Sequence, residues 1–365
     1  MNILIIAGEV SGDLYAAHLA KALKKQHKDS HIIGIGGDKL ESESHRFLLH
    51  SAYKHQVGVH NLLSGMSFKK QLISTLTQAC GSQKIDLAVI LDFQHLNTSI
   101  ATTLKHYNVP VHTFITPNFW MWNDKKSAQA ICRYSEKIIT IFKKEFDFYK
   151  SISNKAYYFG HPMTELVHSG TAPGKTNKQI CFLPGSRPQE FHLYLKEMLK
   201  VARALKQSLP EYELVFSLAT TRYDAIINDY FSEYPELKGC ISYENSKTNI
   251  ERSDLVVSAT GSVTLEVVLM NKRLVVLAAL PYLSYLVAKY LLGVTMPYLS
   301  LPNFLSAAAV VPEFVQRDIK APQILAACIS ELNKQEPVNY ERVIQEIKKE
   351  PYVFDSVARE LLRPL

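Results

Sequence analysis

Three times in this chain of 365 residues a short, unbroken apolar run ends in a loop of glycine and small polar residues, and a helical pattern follows at once. Residues 3–7 lead into Gly8-Glu9-Val10-Ser11-Gly12-Asp13, residues 180–183 into Pro184-Gly185-Ser186-Arg187-Pro188-Gln189-Glu190, and residues 255–258 into Ala259-Thr260-Gly261-Ser262-Val263-Thr264-Leu265-Glu266. A strand with no polar alternation is buried on both faces, and the helix after it covers one of them. Repeated, this builds a parallel sheet between helical layers. The remaining pattern agrees. Strands are expected at 31–35, 87–91, 111–115, 137–141, 156–159, 212–217 and 274–277, with helices at 14–24, 99–107, 146–151, 191–207, 223–231 and 262–270.

The turn-forming stretch Gly170-Thr171-Ala172-Pro173-Gly174-Lys175-Thr176-Asn177 reads as a linker. The expected domains are therefore 1–168 and 169–338, both Rossmann-like. A last helical stretch, 339–361, has no strand after it and crosses back onto the first domain or onto a dimer partner. Two such βα units predict a cleft faced by the carboxyl ends of their strands.

Charge and cysteines narrow the function. Lys and Arg number 41 against 34 Asp and Glu, a net charge of +7. This suits an anionic partner, yet no dense basic tract runs along one helix, so nucleic acid is not expected. The five cysteines are scattered and form no CxxC pair, which reads as free thiols in a reducing cytoplasm and gives no zinc site. The N-terminal apolar run lacks a basic leader and reads as a buried strand, and no run is long enough to cross a bilayer. Residues 138–149 and 278–299 mix apolar, aromatic and basic residues and are candidates for lying against a phospholipid surface.

The loops carry the candidate chemistry. In the first, Ser11, Gly12 and Asp13 precede or open a helix, where unpaired N–H groups meet an anion or a sugar hydroxyl, or where Ser11 or Asp13 caps the helix. The spacing is not GxGxxG, so a dinucleotide site fits poorly. In the second, Gly185 and Ser186 expose backbone donors, Arg187 brings a fork of donors suited to a diphosphate, and Glu190 orients Arg187 or meets the ligand. In the third, Thr260, Gly261 and Ser262 leave room at a helix start, and Glu266 is placed to accept from two ribose hydroxyls. Asp92-Phe93-Gln94-His95-Leu96-Asn97 follows a buried strand, and an imidazole there is suited to general-base work. Pro117-Asn118-Phe119-Trp120-Met121-Trp122 holds both tryptophans of the chain, for stacking on a sugar, lining an acyl pocket or packing in the core.

Taken in order, these segments, with Gly160-His161-Pro162-Met163 and Ser300-Leu301-Pro302-Asn303, resemble the lipid-A-disaccharide synthase family over nearly the whole chain. The resemblance implies a GT-B fold, two Rossmann-like domains facing a central cleft. It implies metal-independent, cofactor-free, inverting transfer from UDP-2,3-diacylglucosamine to 2,3-diacylglucosamine 1-phosphate (lipid X), giving a β-1,6-linked disaccharide and UDP. The enzyme would be peripheral on the cytoplasmic side of a bacterial inner membrane, with the last helix exchanged between the subunits of a homodimer. His95, Asp92 and Asn97 would then be catalytic. Gly185, Ser186, Arg187, Glu190, Thr260, Gly261, Ser262, Glu266 and Asn303 would hold the donor, and Ser11, Gly12, Asp13, Asn61, Trp120 and Trp122 the acceptor side.

The chain departs from the family pattern. His95 stands where the pattern D-x-P-D-F-N has its second Asp, Gln94 replaces its Pro, and Asn61 replaces a Glu. Ala307-Ala308-Ala309 replaces Gly-Arg-Glu, and Asn123 replaces an Arg. The donor half is intact and the catalytic half is altered. That leaves an active transferase with His95 as base, or a divergent paralogue that binds UDP-sugar or lipid without catalysis or uses another acceptor. A nucleotide-sugar epimerase, also built on two Rossmann-like domains, is a third reading.

Overall fold

The computed structural model describes residues 1–51, 62–93, 96–167, 178–186, 188–279 and 297–364. The chain divides into two compact units, Met1–Glu165 with Glu346–Leu365, and Leu166–Gln345.

The first unit holds strands β1 (Asn2–Ala7), β2 (His31–Gly36), β3 (Arg46–His50), β4 (Leu87–Leu91), β5 (Val111–Phe114), β6 (Lys137–Thr140) and β7 (Ala156–Tyr158). They form one parallel sheet in the order β3-β2-β1-β4-β5-β6-β7. Helices α1 (Val10–Gln26), α2 (Asp38–Glu41), α3 (Leu62–Ser82), α4 (Asn97–His106), α5 (Lys125–Tyr134), α6 (Lys143–Lys150) and α7 (Met163–Leu166) join them. The central strands are apolar without alternation, and β4 is buried at every position. The chain leaves β1 toward β2 and β3, then returns to place β4 on the other side of β1. This reversal opens a crevice at the carboxyl ends of β1 and β4, where α/β sheets hold their ligands.

The second unit repeats the plan. Its strands are β8 (Gln179–Leu183), β9 (Glu213–Ser217), β10 (Ile241–Ser242), β11 (Leu255–Ala259), β12 (Arg273–Ala278) and β13 (Glu313–Val315). Their order is β10-β9-β8-β11-β12-β13, all parallel, with the reversal between β8 and β11. Helices α8 (Pro188–Ser208), α9 (Asp224–Ser232), α10 (Ser246–Arg252), α11 (Val263–Leu269), α12 (Leu301–Ser306) and α13 (Ala321–Asn333) complete it. Each sheet has its own apolar core.

The expected terminal helix is two, α14 (Glu341–Ile347) and α15 (Val353–Leu362). Pro351, with no N–H and a ring that clashes with the preceding turn, separates them. The second of these helices crosses back onto the first unit of its own chain. Asp355 pairs with Lys25 of α1 at 2.5 Å, and the Phe354 ring stacks on His18 at 5.2 Å. Buried Lys137 donates to the carbonyls of Glu360 and Arg363 at 2.6 and 2.7 Å, which satisfies the open C-terminal end of the helix with a cation.

Two expectations about surfaces need correction or fall outside the described residues. The stretch 138–149 is β6 and α6, not a lipid-facing surface. Ile138, Ile139, Phe142 and Tyr149 are buried, and Phe146 and Phe148 pack against the same core. Of 278–299, residues 280–296 lie outside the description. No described helix is long and apolar enough to cross a membrane. All five cysteines are free, and burial pushes the thiols of Cys181 and Cys328 up to about 12.

Candidate active site

The first two motifs meet at the switch point of the first unit. Ala7 pairs with Leu91 across β1 and β4, so Gly8 and Asp92 leave the sheet side by side. The Gly8 N–H donates to the Leu91 carbonyl at 3.2 Å. A Cβ on Gly8 would lie 2.7 Å from the Asp92 carbonyl oxygen and 2.8 Å from the Phe93 ring, so only glycine fits. Gly12, on the first turn of α1, faces the Asp92 side chain, with a notional Cβ at 3.5 Å from it.

Asp92 has φ +45° and Ile115, which follows β5, has φ +66°. Left-handed backbone is uncommon for Asp and an outlier for a β-branched residue. The Asp92 N–H donates to the Ile115 carbonyl at 3.3 Å, and the Ile115 N–H to that of Ile139 at 3.0 Å. The hydrogen-bond ladder thus runs past the strand ends and fixes the turn that leads to His95. His95 itself, with Gln94 and Asn61, lies outside the described residues. Asn97, the first residue of α4, is 4% exposed, and among the described residues neither of its amide atoms has a partner.

Asp13 belongs elsewhere. Its buried carboxylate accepts from the N–H groups of Gly37 at 2.7 Å, Lys39 at 3.1 Å and Leu40 at 3.1 Å. It caps α2 rather than facing an acceptor, and Ser11, near the start of α1, is half-buried. The tryptophans divide. Trp120 is buried and packs on Phe142 with ring centroids 5.3 Å apart, whereas Trp122 is 43% exposed. Phe142 in turn lies 5.0 Å from His161, whose burial holds its imidazole down at about 3 and neutral.

In the second unit, Leu183 pairs with Ser258, so the loops after β8 and β11 again stand side by side at the switch point. Gly185 turns at φ +107°, and a Cβ there would come within 2.7 Å of that of Glu190. The Glu190 carboxylate, in the first turn of α8, accepts from the Ser186 N–H at 2.6 Å. That corrects the expectation for Ser186. The Ser186 donor is spent within the loop, on a carboxylate carried by α8. The N-terminus of α8 opens beside this loop, while Arg187 is outside the described residues. Across the crevice, Thr264 bonds the Gly261 carbonyl through both its hydroxyl and its N–H, at 2.7 and 3.2 Å. The Thr260 N–H donates to the Leu277 carbonyl, tying that residue to β12. Gly261 and Ser262 are exposed, and half-buried Glu266 lies on the first turn of α11.

Asn303 is not open to a ligand. Its amide donates to the Val311 carbonyl at 3.0 Å and to Glu313 at 2.9 Å, and its oxygen accepts from Val310 and Val311 at 2.8 and 3.0 Å. All its capacity clamps α12 to the approach of β13. The Glu313 carboxylate also takes the Leu299 N–H at 2.6 Å and the Ser300 hydroxyl at 2.5 Å. Ala307, in the position of the family glycine, is the left-handed cap of α12 at φ +52°. Sequence reasoning missed Glu145 of α6, which is 1% exposed and accepts from Thr116, Ile141 and Phe142. Its usual cue is Ser or Thr three residues before it, and here that position is Phe142.

A family model described as lipid-A-disaccharide synthetase matches residues 3–360. A lipid-A-disaccharide synthase of Myxococcus xanthus is 30% identical over 332 residues, covering 88% of this chain and 86% of its own. Among solved structures, the S. aureus MnaA–UDP complex superposes with a TM-score of 0.68 at 12% identity, covering 99% of this chain and 95% of its own. Acinetobacter baumannii MurG does so with a TM-score of 0.56 at 12% identity, covering 98% of each chain. At such identities these structures speak for the GT-B fold alone.

Proposed function

The chain belongs to the lipid-A-disaccharide synthetase family, and on that premise we propose that it is a UDP-sugar-dependent hexosyltransferase that joins UDP-2,3-diacylglucosamine to lipid X, forming the lipid A disaccharide 1-phosphate and UDP. The observation that carries this reading is the placement of the motif pairs. In each unit the two loops that match the family lie together at the sheet's switch point.

The second unit takes the nucleotide. Glu266 accepts from the ribose hydroxyls, and Arg187 with the N-terminus of α8 offsets charge that grows on the diphosphate as it leaves. The first unit does the chemistry. His95, as a neutral imidazole, takes the proton from the acceptor 6-hydroxyl while that oxygen attacks C1 of the donor sugar. The C1–O bond to UDP breaks with inversion. Asn97, buried with an amide that lacks a partner among the described residues, orients the acceptor or the base. The reaction as proposed needs no metal or cofactor, and acylated substrates place it at the cytoplasmic face of the inner membrane. Exposed Trp122 is suited to that contact.

Incubation with UDP-2,3-diacylglucosamine and lipid X, followed by mass detection, tests the reading. Disaccharide and stoichiometric UDP are expected, and His95→Ala should slow turnover by about 100-fold, at the low end of what a general base contributes. UDP binding without any product would favour the divergent binding paralogue. An isomerised donor with no acceptor consumed would favour an epimerase.

A further inference from the structure

We propose that Glu145 is a positioning residue whose buried carboxylate holds the tryptophan loop and, through the Ile115 backbone, the turn at Asp92. One carboxylate oxygen accepts from the Thr116 hydroxyl at 2.6 Å and the Thr116 N–H at 3.3 Å. The other accepts from the N–H groups of Ile141 at 2.8 Å and Phe142 at 3.2 Å. A single side chain therefore joins the loop after β5 to the loop after β6. Each loop carries one ring of the Trp120–Phe142 pair. Thr116 follows Ile115, whose left-handed backbone costs about 1–3 kcal/mol and persists only where its surroundings hold it. The Ile115 carbonyl receives the Asp92 N–H, so the hold reaches the candidate catalytic loop.

Four donors converge on this carboxyl. Only its ionised form accepts from all of them: protonated, it donates to the Thr116 oxygen, whose hydroxyl then turns to the Pro117 carbonyl at 3.2 Å, and only backbone N–H groups still donate to the carboxyl. Burial opposes ionisation and holds the group up at about 7. The titratable groups around it do not change charge there. Tyr149 on its own helix, Tyr158 on β7 and Tyr134 on α5 are all pushed well above the usual phenol range by burial. The Cys132 thiol is also raised by burial, and His161, beyond Phe142, is held neutral. The clamp is thus set to tighten as pH rises through neutrality.

The inference rests on the proposed transfer only in placing the Asp92 turn beside the chemistry, and its main readout needs no activity. Both tryptophans of the chain lie in the clamped loop, so tryptophan fluorescence, excited at the red edge where the 19 tyrosines do not absorb, reports that loop. A titration of the wild type should show a transition near neutral pH. Glu145→Gln should abolish it, Thr116→Val should move it to higher pH, and His95→Ala should leave it in place. In the transfer assay Glu145→Gln should lower kcat about tenfold at pH 8 with the donor KM unchanged, a modest share of what misplacing reacting groups costs. A transition that survives Glu145→Gln, or that disappears in His95→Ala, overturns the proposal. So does an unchanged kcat in a folded Glu145→Gln protein. Failure of the wild type to make disaccharide would count against the transferase reading and leave the fluorescence test intact.

Discussion

At its switch point the first unit turns its backbone on Asp92 at φ +45° and Ile115 at φ +66°, whereas the second turns on Gly185 at φ +107°. Glycine reaches positive φ without steric cost, so the loop after β8 is relaxed and tied to α8 by Glu190. The other loop is strained and depends on neighbours: Gly8 beneath it, Ile139 and Glu145 beside it. The family pattern divides the same way, with the donor loops matching and the catalytic segment altered at Gln94, His95 and Asn61. Binding a diphosphate asks for exposed dipoles in a fixed turn. Moving a proton asks for a group held in one geometry, and strained backbone held by its surroundings is one way to do that.

The strongest way to break this contrast is Gly8→Ala. Its methyl group meets backbone of Asp92 and Phe93, which cannot step aside. We expect about 3 kcal/mol of lost stability and a loss of turnover on the order of 100-fold, with UDP affinity retained. Thermal unfolding, turnover and a UDP titration check the three parts. Gly185→Ala should do the opposite, weakening UDP binding first.

The next effect is on stability against pH. The carboxyl of Glu145 is raised from 4.5 to about 7. A raised carboxyl stabilises the fold fully below its unfolded value, and that contribution fades as pH climbs through the folded value. The wild type should therefore lose about 3 kcal/mol relative to Glu145→Gln between pH 4.5 and 8. Denaturant midpoints of the two proteins across that range measure it, and parallel curves would contradict the assignment. The smallest effect sharpens the relaxed side. Ala307→Gly replaces an exposed left-handed alanine, so it should stabilise by about 0.5–1 kcal/mol in thermal unfolding without changing turnover.

The sheets were legible because central strands are long apolar runs, β4 throughout and β8 from Ile180 onward, and each is followed by a break in that run, at Asp92 after β4 and at Pro184-Gly185 after β8. Elements without that contrast were not. β3 is an edge strand bounded by Arg46 and His50, β13 has only three residues, and the apolar pattern at the start of α3 is broken by Ser64, Gly65 and Ser67. Site residues were legible by chemical type but not by partner. Asp13 has the look of a ligand-facing carboxylate, yet its donors come from Gly37, Lys39 and Leu40, brought alongside by β2. Asn303 is likewise consumed by a loop that returns to it. The strain at Ile115 leaves no trace in composition, because it is imposed by the ladder from Asp92 to Ile139. Neighbours in overall shape at such low identity speak for the fold alone, so membership of the family rests on the sequence match.

Calorimetric titration of UDP into wild type, Glu266→Ala and Asn97→Ala tests the division of labour most directly. Affinity should weaken on the order of tenfold or more in Glu266→Ala, from lost bonds to a charged acceptor, and stay at the wild-type level in Asn97→Ala. Unweakened binding in Glu266→Ala together with lost binding in Asn97→Ala would place the nucleotide on the wrong unit and contradict that division.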